Sequence, residues 1–100
     1  MKSDTALSAE NAEAVAISAL GFVAGDEVLL PRFLAISGIS AADIRTAAAE
    51  PGFLAGVLDF ILAHEPTLVA FAEAGGLDPS AVAKARRALP GGDDRSEALP

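Results

Sequence analysis

The chain has no cysteine, no tryptophan and no tyrosine, with one methionine and one histidine. Lack of cysteine rules out a disulfide framework, a thiolate metal site and a thiol nucleophile, and it permits a reducing compartment. With His64 as the single histidine there is no paired-imidazole spacing to hold a metal. Long hydrophobic runs are missing as well. The longest nearly uncharged stretch, Ala14 to Gly25, falls short of the roughly 20 apolar residues that span a bilayer. Asp4, Glu10 and Glu13 occupy the place of a basic signal-peptide n-region. The expected setting is cytoplasmic, without a membrane. Bases are scarce, seven against fourteen acids for a formal charge of −7, which disfavours nucleic acid unless the bases cluster.

What is present is small and helix-forming. Of the 52 hydrophobic residues in the 100-residue chain, 23 are alanine, the best helix former, while β-branched residues are scattered rather than clustered. The length suits one domain, expected over residues 8–90 between a flexible lead, 1–7, and a disordered tail, 91–100, that is rich in charge, glycine and proline. The fold class is all-α, a compact bundle of five to six short helices.

Punctuation places those helices. Ser8 reads as an N-cap for a first helix ending at Ala24, with Gly25 in the left-handed position that often follows a helix. Asp26 can cap a second segment, but Pro31 lacks an N–H and crowds the preceding turn. The expectation is therefore a turn over 27–30 and a helix over 31–37, closed by Gly38. Ser40 and Asp43 form a capping-box-like start for Ala41 to Ala49. A fourth helix, Pro51 to Ala63, carries Phe53, Leu54, Val57, Leu58, Phe60, Ile61 and Leu62 and is expected to be the most buried. A fifth runs from Glu65-Pro66 to Gly75-Gly76, and a sixth from Asp78-Pro79 to Leu89.

Displaced by 38 residues, the chain matches itself at Leu20/Leu58, Phe22/Phe60, Glu27/Glu65, Leu30/Leu68, Phe33/Phe71, Gly38/Gly76 and Ala47/Ala85. Either the chain consists of two related three-helix units, or similar punctuation in an alanine-rich sequence produces chance identities.

Catalytic equipment is thin. His64 sits near a helix end, where an imidazole interacts favourably with the dipole. Asp59 interrupts the most apolar helix with a charge that is costly to bury unpaired, and Arg32 and Arg45 are its available partners. An enzyme or ligand carrier would require a concave pocket containing Asp59 or His64. Two segments have helix-turn-helix spacing: Ala72, Gly76, Leu77, Val82 and Ala85, and again Leu34, Gly38, Ile39, Ser40 and Ile44. Lys84, Arg86 and Arg87 supply the only basic cluster.

The Ser8-to-Glu10 start, Arg32-Phe33-Leu34, the Gly38-Ile39-Ser40 turn, Val57 through Leu62, Glu65 and Phe71-Ala72 together resemble a family of short bacterial helical proteins catalogued as a domain of unknown function. The likeness covers about residues 8 to 90. It implies an all-helical fold and brings no activity, cofactor or site residue. The expected function is a non-catalytic helical protein-interaction module acting through a helix groove or by self-association, with Phe22, Phe33, Phe53 and Phe71 as contact residues. The alternative is DNA binding through Lys84, Arg86 and Arg87. No catalytic, cofactor-binding or metal-binding residue is assigned.

Overall fold

Glycine, proline and capping side chains divide this chain into helices by local chemistry, and most of that division is realised. A computed structural model describes residues 9–50 and 52–89. In it α1 spans Ala9–Ala24, α2 Leu29–Ser37, α3 Ile44–Ala48 after a 3-10 turn at Ala41–Asp43, α4 Phe53–Leu62, α5 Glu65–Gly75 and α6 Pro79–Ala88. The fold is an all-α bundle, with no strand among the described residues. The Ser8 cap, the lead at 1–7 and the tail at 91–100 lie outside those residues.

Three caps match expectation closely. Gly38 and Gly76 end α2 and α5 in the left-handed region, at φ 78° and 67°, where a Cβ would be strained. Asp78 caps α6 by accepting the Ser80 N–H at 2.8 Å, and Pro79 follows at the first helical position, where a missing N–H costs nothing.

Other boundaries differ from expectation. Gly25 is not left-handed; positive φ among the described glycines occurs at Gly38, Gly52 and Gly76. Helix α1 instead ends in a tight right-handed turn, with the Asp26 N–H donating to the Val23 carbonyl at 3.1 Å. Helix α2 begins at Leu29 rather than Pro31. Asp26 Oδ1 accepts the N–H groups of both Val28 and Leu29, at 2.8 and 2.9 Å, and the Asp26 carbonyl accepts that of Leu30. The first turn is therefore built before Pro31 arrives.

The third helix shrinks to one 3-10 turn and five α-helical residues. The Ser40 hydroxyl donates to the Asp43 carboxylate at 3.0 Å, so the pair supplies no side-chain cap to the backbone. Helix α4 starts at Phe53, whose N–H bonds the Glu50 carbonyl; Pro51 is outside the described residues.

The core follows the hydrophobic stripes. Helix α1 buries Ala12, Ala16, Ala19 and Val23, and α4 buries Phe53, Ala55, Val57, Leu58 and Ile61. Helix α4 is thus the most buried element, as its composition implies. The small side chains of α1 and the large ones of α4 pack against each other, and α6 lies on both, closing the core with Val82 and Ala85.

The 38-residue register has a geometric counterpart. The chain bends by 112° between residues 11–24 of α1 and α2, and by 110° between α4 and α5. Phe22 on α1 meets Phe71 on α5 with ring centroids 5.4 Å apart, and Phe60 on α4 meets Phe33 on α2 at the same 5.4 Å. Phe22 and Phe60 are register equivalents, as are Phe33 and Phe71. Each half gives the other the contact it receives, which is the pattern of a twofold interface. The equivalence fails at the third helix: α3 buries no residue, whereas α6 buries Val82, Ala85 and Arg86.

These ring pairs set expectations for stability. Phe33→Ala or Phe71→Ala should cost about 3–5 kcal/mol, a large share of the roughly 5–15 kcal/mol that holds a domain of this kind. Phe22→Ala, at a part-buried ring, should cost clearly less. Urea titrations followed by circular dichroism measure the three.

A second expectation concerns Asp78, whose carboxyl lies below its ordinary 3.8 because the Ser80 backbone N–H and then the Ser80 hydroxyl bond the charged form. A depressed folded-state pKa gives stability that is present above the unfolded value and lost as pH falls through the folded one. The difference in urea midpoint between the native chain and Asp78→Ala should therefore be full near neutrality and shrink as the solution is acidified below about pH 4.

Candidate functional site: a groove between two helix corners

The corners where α1 turns into α2 and where α4 turns into α5 face one another across an open groove of about 300 Å³. Its lining follows the internal register. Asp26 and His64, Val28 and Pro66, Leu29 and Thr67, and Arg32 and Ala70 are all 38 residues apart, and Phe22 completes the wall. Its wall is largely apolar, with four polar side chains, Asp26, Arg32, His64 and Thr67, along it.

Each polar side chain is set by its own corner. Asp26 is held at the start of α2 by the two backbone N–H groups it accepts, where the helix dipole also favours its charge. His64 precedes α5, and its Nδ1 lies 2.8 Å from Oγ1 of Thr67. Thr67 is itself buried, so this contact ties the imidazole to the core. Arg32 is exposed on α2, and no described carboxylate pairs with it; the ion pair among the described residues is Arg86 with Asp59. Val28 stands at the rim, 64% exposed.

The candidate contact phenylalanines are redistributed. Phe33, Phe53 and Phe71 are buried and cannot serve as a partner surface without unfolding. Their rings pack edge-on or tilted against Phe60 and Phe22, and Phe33 also against Phe53 at 5.9 Å. Only Phe22 keeps surface, and it lines the groove.

Asp59 pairs with neither Arg32 nor Arg45. Its Oδ1 accepts from Arg86 Nε at 2.6 Å, because α6 lies across α4 and brings the two together over 27 positions of sequence. The side chains are 58% and 11% exposed respectively, so Asp59 sits half in water while the arginine stem is enclosed, and Arg86 Nη1 is buried without a hydrogen-bond partner. Asp59 does not line the groove; His64 does. Of the basic cluster, Lys84 and Arg87 remain exposed, while Arg86 is enclosed and ion-paired. That leaves two of its three bases free for phosphate.

Sequence reasoning treated Asp26 as a cap and His64 as a helix-end residue, and it did not place Asp26, Arg32 and His64 in one groove. The signal was available in the 38-residue register, which sets the two corners in correspondence. Among the described residues no group of three or more His, Cys, Asp or Glu side chains could hold a metal, and no single helix is long and apolar enough to cross a membrane.

Fold and groove together define an all-helical bundle whose distinctive surface is a shallow cleft between paired helix corners. The family model described as a protein of unknown function, DUF3572, matches residues 9–92, and the chain belongs to that family. No curated protein and no solved structure matches it.

The Asp59–Arg86 pair has a measurable consequence. Asp59→Ala leaves an enclosed guanidinium without its counter-charge and should destabilise the fold by about 1–3 kcal/mol. Arg86→Met in the same chain should recover most of the loss, since an enclosed charge can often be replaced by apolar packing at little cost. Chemical denaturation of the single and double variants reads both.

Proposed function

We propose that the chain is a non-catalytic helical interaction module and that the corner groove is where it takes its partner. The carrying observation is Val28, an apolar side chain 64% exposed at the rim of a groove whose wall includes Phe22, Leu29 and Pro66. Exposed apolar surface gathered at a concavity with a few polar groups is how binding sites on small domains are built. His64 on its own does not argue for chemistry. The hydroxyl beside its Nδ1 belongs to Thr67, which is buried away from any substrate, and among the described residues no carboxylate orients the ring as a general base requires.

A photo-crosslinking residue placed at Val28 tests this reading in cells, with Ile36, 70% exposed and outside the groove, as the comparison site. A discrete protein adduct from position 28 and none from position 36 is expected. An adduct of twice the chain's mass would identify the partner as a second copy. Equal labelling from both sites, or none from position 28, would sink the proposal.

A further inference from the structure

Two features of the groove bear on what occupies it. The first is its balance of donors and acceptors. Asp26 is the groove's one carboxylate, and one of its oxygens already accepts two backbone N–H groups of the α2 start. Among the described residues Arg32 offers a guanidinium with no acid partner, and His64 has one ring nitrogen engaged by Thr67 and the other without a partner. Asp26 keeps its second oxygen as an acceptor and the role of the other His64 nitrogen follows from the tautomer, so the site's unmatched donor is the Arg32 guanidinium, a fork best met by a carboxylate. In a chain with twice as many acids as bases, an arginine at a concavity with no acid partner among the described residues is available to an incoming acid.

The second feature is where the internal symmetry breaks. Several apolar positions are identical across the register, as with Phe22/Phe60, Leu30/Leu68 and Phe33/Phe71. Every register pair in the groove differs: Asp26 corresponds to His64, Val28 to Pro66, Leu29 to Thr67 and Arg32 to Ala70. A groove with chemically distinct ends suits a directional occupant better than a twofold self-contact.

Resting on the interaction-module reading, we infer that the groove takes a short segment of a partner protein that presents an aspartate or glutamate to Arg32 beside an apolar side chain seated against Phe22 and Val28. Local contact outweighs the chain's overall negative charge here, because exposed charges more than about 8–10 Å away are largely screened at physiological salt.

A random dodecapeptide library displayed on phage, panned against the full chain and in parallel against Val28→Glu, tests the inference. The expected result is enrichment on the native chain of sequences with an acidic residue adjacent to a large apolar one. Affinity of the best peptide should fall at least tenfold with Arg32→Gln, and as much when its acid is changed to the amide. Circular dichroism should find the helices of both protein variants intact, as expected for substitutions at exposed positions. Enrichment of basic or uncharged sequences, or indifference to Arg32→Gln, would overturn the inference and leave the module reading intact. No enrichment on the native chain over Val28→Glu would overturn both.

Discussion

The structure depends on one reciprocal interlock. Helix α1 lends Phe22 to Phe71 of the second half, and α4 lends Phe60 to Phe33 of the first. Neither half can complete its aromatic packing alone, and a segment of about 40 residues without disulfides or metal rarely buries enough surface to fold by itself. The two halves are therefore one cooperative unit despite their internal correspondence. The alanines of α1 serve the same end. Ala12, Ala16 and Ala19 are fully buried, and their small side chains leave room for the Val57, Leu58 and Ile61 side chains of α4.

Departure from the twofold pattern is concentrated in the third helix of each half. Asp78 caps α6 through a backbone N–H, whereas its register equivalent Ser40 donates to Asp43 and caps nothing. Helix α6 grows to ten residues and covers both α1 and α4, while α3 stops at five. The longer helix carries Arg86 into its pair with Asp59, whose register equivalents are Ala48 and Gly21, residues with no charge to exchange. Added polar chemistry thus accompanies the element that was extended, and it pins α6 to α4 at the one charged position of an otherwise apolar helix.

The parts of this fold readable from sequence are those decided within a turn of the chain. Gly38, Gly76 and Asp78-Pro79 act on their own backbone, and their effects appear where they stand. Pro31 misled because the competing influence was equally local but stronger: Asp26 builds the first turn of α2 ahead of the proline. What could not be read depends on how helices cross. Asp59 finds Arg86 rather than Arg32 or Arg45 only once α6 is laid over α4. The phenylalanines were sorted into core and rim by the interlock, which no single helix encodes. The groove lay between these cases, since the register that pairs Asp26 with His64 was visible and only its closure in space was not.

The interlock also explains why the groove is a fixed shape rather than a loose surface. Its wall residue Phe22 is packed on Phe71, and His64 is tied to buried Thr67. Asp26 is held by backbone donors at a helix start. Each of these anchors belongs to the core or to a helix terminus, so Phe22, His64 and Asp26 are held in place before anything binds. Association with a preorganised surface loses less conformational entropy than ordering a mobile one. A small contact can then suffice for recognition, which matters for a cleft of about 300 Å³ on a domain this size. The same packing that makes the two halves inseparable is what would give their shared corner groove its selectivity.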